Sequence, residues 1–406
     1  MPESTPVCHQ APNSAAGTSA HSGATSPRVT GHLPALDGLR GLAILLVLLR
    51  HFTEGAELRS KSGRWLAAAL DAGWIGVDLF FVLSGFLITG ILLEARRSQH
   101  YFRNFYVRRT LRIFPLYYGV LAVIFGIAPW LGWLVPEVGP EEHSQAWLWA
   151  YGTNIIMSWT GSPLLKHGWL NLNHFWSLAV EEHFYLLWPL IVFTSTRLRL
   201  ATITAAAFLG AFLLRVCLSY THNALAPYIL TPCRIDTLML GALLAVAVRE
   251  PGGVNALVRP ARVVLATGVV ILSGVFVLRK GLVFWDRYVL SGGFSLLAVS
   301  FGALLVLTLA AREHSLLART FASAPLRFLG RYSYGIYVFH YLLLAWFDRI
   351  FPTSLLASYL GSYAFGLTAH VLLCSAVAVA IAFASWHLYE KQFLKLKRFF
   401  EYRAPR

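Results

Sequence analysis

The sequence predicts an all-α fold: a polytopic membrane helix bundle of about ten transmembrane helices with one re-entrant or interfacial segment. Hydrophobic residues make up 57% of the 406 residues and charged residues only 13%, too few to cover a soluble globule. The apolar residues come in continuous blocks of about twenty, the length that crosses roughly 30 Å of hydrocarbon. A soluble enzyme, a coiled coil and a mainly disordered chain are therefore excluded, and continuous blocks argue against a membrane β-barrel.

Eleven apolar runs are candidates for membrane spans, because only helices satisfy such backbones economically in lipid. Ten are predicted to cross, namely 35–52, 74–93, 113–134, 175–194, 201–218, 235–248, 263–278, 288–311, 332–347 and 365–387. The remaining run, 146–159, is rich in Trp and Tyr and is predicted to be interfacial or re-entrant. A span there would place the basic loop that follows residue 194 on the wrong side of the membrane.

Basic residues set the predicted orientation. The stretch 94–112 holds six arginines against one acid and should be cytoplasmic, whereas 113–165 has no Lys or Arg and should be outside. The C-terminal segment 391–406 is basic and is predicted to be a cytoplasmic tail. We therefore expect a multi-pass protein of the cell membrane with both termini in the cytoplasm and a membrane-embedded domain over 33–390.

The overall charge of +15 with a pI near 9.9 fits such cytoplasmic flanks. Nucleic-acid binding is not expected, since no soluble basic domain is available to carry it. The four cysteines form no CxxC pair and indicate neither a disulfide framework nor a metal site. Residues 1–32 are rich in Ser, Thr, Ala, Gly and Pro, which predicts a disordered tail rather than a signal peptide.

Ionisable residues at membrane depth are functional candidates, because a charge in lipid is costly. Arg40 and His51 are eleven residues apart, which on a helix is about three turns and roughly 16 Å, on nearly one face. Asp78 lies at a depth similar to His51, where a carboxylate can fix the tautomer of an imidazole. Arg109 and Arg112 share a helix face and offer forked donors suited to phosphate.

Each of these residues also has a structural explanation. Arg40 could snorkel and His51 could lie at the interface, Asp78 could cap its helix, and a positive-inside flank would account for Arg109 and Arg112. The stretch that holds Glu181, Glu182 and His183 is harder to explain structurally, because these residues lie two turns inside an apolar run. His340 lies in mid-membrane and is as well explained by a satisfied core histidine as by a functional one. Small residues such as Gly76 and Gly85 are expected to permit close helix packing.

These stretches together resemble the acyltransferase-3 family of integral membrane acyltransferases. The matching pieces are LDGLRG with a following His, GVDLFFVLSGFLI, RRTLRIFP, FWSLAVEEHFYLLWP and LGRYSYGIYVFH, in this order between about residues 34 and 390. The resemblance implies transfer of an acyl group, often acetyl, from cytoplasmic acyl-CoA to a hydroxyl of a carbohydrate, glycolipid or glycosylated small-molecule acceptor. It places Arg40 and His51 in an Arg-x10-His motif and Arg109 and Arg112 in an Arg-x-x-Arg motif, with the arginines on the CoA phosphates.

We therefore expect an O-acyltransferase that uses acyl-CoA, most simply acetyl-CoA, as co-substrate and holds no cofactor or metal permanently. His51, oriented by Asp78, would be the catalytic base, and a covalent acyl-histidine is the competing route. Glu181, Glu182 and His183 would bind the acceptor, although the family more usually has Gln at the last position. The rival interpretation is a transporter of a small polar or anionic solute, which should show broken helices in paired halves.

Some relatives carry an additional C-terminal hydrolase-like domain outside the membrane. This sequence ends after its basic segment, so that a single catalytic module is expected to suffice.

Overall fold

The computed structural model describes residues 33–131, 144–164, 171–221 and 223–402, and every regular element within these ranges is helical. The described residues from Leu33 onward form one compact unit. The all-α membrane fold predicted from the sequence is thereby confirmed. The predicted tail 1–32 lies outside the described residues, as do 132–143, which include the predicted acidic outer loop.

Ten helices of sixteen or more residues occur within the described ranges, and each overlaps one of the ten predicted spans. They are α1 (Pro34–Phe52), α2 (Ile75–Ala95), α3 (Tyr101–Ala122), α4 (Trp176–Thr194), α5 (Arg197–Leu218), α6 (Thr231–Ala247), α7 (Gly253–Arg279), α8 (Phe294–Leu309), α9 (Ala324–Leu342) and α10 (Tyr363–Ser385). The shorter helical segments are Lys61–Asp71, Ala72–Trp74, Val123–Ile127, Ala128–Trp130, Ser144–Trp149, Thr153–Thr160, Asn173–Phe175, Leu225–Ile229, Val289–Gly293, Leu316–Phe321, Leu344–Ile350, Thr353–Leu360, Trp386–Glu390, Lys391–Lys395 and Leu396–Phe399.

Seven of the long helices, with the short turns that extend them, are long and apolar enough to cross a membrane. The three that fall short of this criterion are α1, α4 and α9. They carry ionisable side chains such as Arg40, Glu181 and His340 within otherwise apolar sequence. All three of these helices contribute side chains to the site described below.

One helix boundary differs from the prediction, and the run predicted not to span is divided in two. Helix α3 begins at Tyr101 rather than near residue 113, so that the basic stretch is helical and Arg109 and Arg112 lie well inside the helix. The run 146–159 divides into Ser144–Trp149 and Thr153–Thr160, each of which is too short to cross the membrane at about 1.5 Å per residue. This division agrees with a segment that does not span.

Glycines let the backbones of α1 and α9 touch. A Cβ on Gly41 would lie 1.9 Å from the carbonyl oxygen of Leu326, and one on Gly330 would lie 1.8 Å from that of Asp37. No other residue type fits such an approach, which is the usual reason for small residues between membrane helices. The crossing fixes the register of α1 against α9.

The predicted packing role of Gly76 and Gly85 is confirmed. A Cβ on Gly76 would lie 2.3 Å from the carbonyl oxygen of Ala43 on α1, and one on Gly85 would lie 2.0 Å from that of Leu238 on α6. Helix α2 therefore packs closely on α1 at one end and on α6 further along.

We predict that Gly41→Ala destabilises the protein by at least about 1–3 kcal/mol, because the added methyl group forces α1 away from the α9 backbone. The matched control is Gly274→Ala on α7, where the new Cβ meets nothing within 4 Å. That control should be neutral or slightly stabilising, since Ala is the better helix former. The measurement is the thermal midpoint of the purified protein, and equal midpoints for the two variants would contradict the proposed contact.

Candidate active site

A cavity of about 100 Å³ lies between α1, α2, α3, α4 and α9. Its lining includes four of the residues singled out from the sequence, Arg40, Arg109, Arg112 and Glu181. The three arginines therefore come from two different helices and meet at one cavity. Arginines present only because of the positive-inside rule would have no reason to converge in this way. The other lining side chains are mainly aromatic and hydroxyl-bearing.

The arginines of α3 rest on aromatic rings. The guanidinium carbon of Arg109 lies 5.0 Å from the ring centroid of Tyr185, and that of Arg112 lies 4.8 Å from the centroid of Trp386. The carboxylate of Glu390 lies at a long 4.0 Å from Arg112. Stacking on a ring leaves the edge N–H donors of a guanidinium free for a second partner, and the forked donors match phosphate oxygens.

The three consecutive residues on α4 do not form one binding group. Successive residues on a helix point about 100° apart, and only Glu181 reaches the arginine-lined cavity. Glu182 interacts electrostatically with Tyr117 on α3 and with Tyr151 in the turn before Thr153–Thr160. The Nδ1 atom of His183 lies 2.8 Å from the hydroxyl oxygen of Thr231, at the start of α6. The predicted acceptor site of Glu181, Glu182 and His183 is therefore divided among three surroundings.

His51, the penultimate residue of α1, bonds to a second histidine. Its Nδ1 atom lies 3.0 Å from the carbonyl oxygen of Val47 and 3.0 Å from Nε2 of His340 on α9. His340 Nδ1 in turn lies 2.8 Å from the carbonyl oxygen of Tyr337. The ring of His174 stands 5.4 Å from that of His340, and among the described residues no set of His, Cys, Asp or Glu could hold a metal ion.

These bonds assign the protons of both neutral rings. A carbonyl oxygen can only accept, so that His340 Nδ1 carries its proton and His340 Nε2 is an acceptor. His51 Nδ1 then donates to both Val47 and His340. The Nε2 atom of His51 is consequently left with a free lone pair, which is the protonation state that a general base requires.

The prediction that Asp78 orients His51 is not supported by the structure. The Asp78 carboxylate accepts a hydrogen bond from Arg234 on α6 at 2.6 Å, and both side chains are fully buried. The guanidinium carbon of Arg234 lies 4.2 Å from the ring of Phe294. A buried carboxylate is compensated far better by a cation than by a neutral imidazole, which is the physical reason for this partner. The side chain that His51 contacts instead is His340.

A second buried ion pair stands beside the first. Arg215 on α5 donates to Asp236 on α6 at 2.7 Å and to the hydroxyl of Ser295 on α8 at 2.5 Å. Arg234 and Asp236 are two positions apart in sequence, yet each pairs with a different helix. The two pairs hold α2, α5, α6 and α8 together and stand apart from the arginine-lined cavity.

Tyr337 and Ser177 line the cavity and also contact the histidines. The two side chains share a hydrogen bond of 2.5 Å. The Tyr337 hydroxyl also donates to the carbonyl oxygen of His174 at 3.0 Å, and its ring stands 5.5 Å from that of His340. The sequence did not single out His174, Ser177 or Tyr337, although each lies within a few residues of the glutamates on α4 or of His340 on α9, which was a usable signal.

We predict that Asp78→Leu destabilises the protein by about 3–5 kcal/mol, because it leaves the Arg234 guanidinium buried without a counter-charge. Asp78→Leu combined with Arg234→Met should regain most of that loss, since two apolar side chains fill the same space. The matched control is Glu250→Leu, which removes an exposed pair with Arg197 and should cost less than about 1 kcal/mol. Thermal midpoints check these outcomes, and a double variant no more stable than the single one would contradict the pairing.

Known proteins with similar sequences identify the family. The family model described as an acyltransferase domain matches residues 33–387. O-acetyltransferase OatA of Staphylococcus aureus (strain NCTC 8325 / PS 47) is 28% identical over 348 residues, which are 80% of this chain and 52% of that protein. Peptidoglycan O-acetyltransferase OatA of Listeria monocytogenes serovar 1/2a is 28% identical over 331 residues, 77% of this chain and 49% of that protein. The chain spans about half the length of these relatives.

No solved structure gives a significant match to the chain. The family match nevertheless extends over nearly all described residues and includes every helix that lines the cavity. The chain belongs to the acyltransferase-3 family of integral membrane acyltransferases.

Proposed function

We propose that this protein is a membrane O-acyltransferase that moves an acyl group, most simply acetyl, from acyl-CoA to a hydroxyl of a carbohydrate or glycosylated acceptor. The observation that carries the proposal is the combination of a cavity lined by three arginines with a histidine further along α1. The Nε2 atom of this histidine, His51, is unprotonated and can act as a base. Family membership supports acyl transfer. The names of the relatives, which include a peptidoglycan O-acetyltransferase, support acetyl as the group and a glycan as the acceptor.

The arginines suit the anionic end of the donor. Arg40, Arg109 and Arg112 present guanidinium groups around one cavity, and forked donors of this kind bind phosphate oxygens in pairs. The positive-inside rule assigns the end of the bundle near α3's basic stretch to the cytoplasm, where acyl-CoA is made. Helix α1 then leads from Arg40 to His51 over a rise of roughly 16 Å. The flexible pantetheine arm of the donor would follow this path.

The chemistry uses the free lone pair of His51. In direct transfer, His51 Nε2 takes the proton of the acceptor hydroxyl while the acceptor oxygen bonds to the thioester carbonyl carbon. The carbon–sulfur bond breaks, and the CoA thiolate leaves and takes up a proton from the imidazolium. In the competing route, His51 Nε2 attacks the thioester first and passes the acyl group on. Both routes need the same tautomer, and His340 supplies it.

The thioester must pass Tyr337 and Ser177 to reach His51. These side chains line the cavity and share a hydrogen bond, and the Tyr337 ring also stands against that of His340. The proposed reaction therefore includes a step in which this bond opens and Tyr337 turns aside. A single aromatic side chain can do so without any helix movement, since its rotation changes side-chain torsions alone.

The transporter alternative gains no support from the helices around the cavity. A transport site is built from unwound helix segments in paired halves, whereas α1, α4 and α9 remain helical over the residues that line this cavity. Vesicle experiments separate the two functions, because accumulation of a solute without any acyl-CoA would favour transport.

We predict that His51→Ala lowers acetyl transfer by about 10²–10⁴-fold, the range expected for loss of a general base. The assay follows labelled acetyl from acetyl-CoA to a glycan acceptor, with the purified protein in lipid vesicles. His314→Ala is the matched control, because His314 is exposed and lies outside the long helices. Transfer by the His51 variant at the wild-type rate, with normal folding, would refute the assignment of the base.

We predict that His340→Gln keeps measurable transfer, whereas His340→Leu loses it. The Gln carbonyl oxygen can accept the proton of His51 Nδ1 as His340 Nε2 does, and Leu cannot. Because His340 acts through His51, the loss should appear in kcat, with the KM for acetyl-CoA little changed. Equal activity of the Gln and Leu variants at matched thermal midpoints would contradict this positioning role.

A further inference from the structure

The described part of the predicted basic tail is packed against α3. We call residues 391–402 the C-terminal strap. Arg108 on α3 donates to the carbonyl oxygens of Lys397 at 3.2 Å and Phe400 at 3.3 Å. Asn104, one turn earlier, donates to the carbonyl oxygen of Glu401 at 2.9 Å. The strap is therefore held by side chains of the same helix that carries the cavity arginines.

The Lys397 side chain lies within electrostatic range of the arginines. Its half-buried side chain interacts electrostatically with Arg112, Arg109 and Arg108. Lys395, on the same strap, is exposed and donates to the side chain of Gln392 at 2.7 Å. Lys397 thus differs from Lys395 in that its charge lies near those of other cations.

The four positive side chains of Arg108, Arg109, Arg112 and Lys397 outnumber the three carboxylates that interact with these arginines, which are those of Glu181, Glu182 and Glu390. The carboxylate nearest to Arg112 is Glu390, at 4.0 Å. Like charges gathered at partly buried positions repel one another, and each also loses hydration. Such an arrangement is stabilised by a bound polyanion, whose oxygens replace the lost water. A lysine supplies a compact charge with three donors, which complements the planar forks of Arg109 and Arg112.

We propose that Lys397 completes a phosphate-binding site with Arg109 and Arg112, so that the C-terminal strap forms one wall of the donor site. The inference rests on the proposed function and adds to it a residue beyond α10 that recognises the nucleotide end of the donor. Arg109 and Arg112 line the cavity to which α1 contributes Arg40, and the same helix carries His51 near its other end. This connection favours the donor over a phospholipid headgroup as the source of the phosphate.

The experiment compares two thioester donors, with and without the nucleotide phosphates. Lys397→Met, Lys397→Arg and Lys391→Met are prepared in the full chain in vesicles of neutral phosphatidylcholine. Acetyl transfer is measured from acetyl-CoA and from S-acetyl-pantetheine, which has the reactive arm but no phosphate. Lys391 is the matched control, because it is exposed on the same strap. Thermal midpoints report whether each variant is folded.

We expect Lys397→Met to raise the KM for acetyl-CoA about tenfold, in line with loss of one charge-assisted hydrogen bond. Its rate with S-acetyl-pantetheine should equal that of the wild type. Lys397→Arg should keep most of the affinity for acetyl-CoA, and Lys391→Met should behave as wild type with both donors.

Three results would overturn the inference. An unchanged KM for acetyl-CoA in Lys397→Met would exclude phosphate recognition by this residue, while leaving the proposed function intact. An equal loss with both donors would assign Lys397 a structural role. An effect that arises only when anionic lipid is added, and is equal for both donors, would assign it to lipid headgroups. A wild-type protein that uses neither donor would refute the proposed function and this inference together.

Discussion

The direct contact between the backbones of α1 and α9 determines the geometry of the whole site. Gly41 and Gly330 bring the two helices closer than any side chain permits. The fixed register places His51 opposite His340 near one end of the pair. At the other end it brings Arg40 into the cavity beside Arg109 and Arg112. Donor-binding and acid–base groups are thus positioned by one helix crossing.

The hydrogen bonds of that crossing also determine protonation. A free imidazole in water exchanges between two tautomers, and only one of them leaves Nε2 unprotonated. Here the carbonyl oxygens of Val47 and Tyr337 fix the proton on Nδ1 of both rings. No carboxylate is needed for this, and a neutral chain of donors suits a low-dielectric interior better than a charged one. The buried carboxylates serve instead to pair Arg234 and Arg215.

Much of the fold and part of the site followed from the sequence. Runs of apolar residues located ten long helices, and the cost of burying charge pointed to Arg40, His51, Arg109 and Arg112. What the sequence could not supply was the identity of neighbours across helices. Periodicity assigns a residue to a face but not to a partner, and Arg234 lies 156 positions from Asp78. His340 likewise lies 289 positions from His51. The same limit applies to the run Glu181–His183, whose members diverge because of helical rotation.

The hydrogen-bonded pair of Tyr337 and Ser177 has a consequence for the membrane itself. An enzyme with polar groups from one end of its bundle to the other risks becoming a leak for protons and small ions. A phenol ring held by two hydrogen bonds beside the histidines would interrupt a file of water between them and the arginines. The cell could then keep its electrochemical gradient at rest, and the barrier would need to yield only while an acyl chain fills the passage.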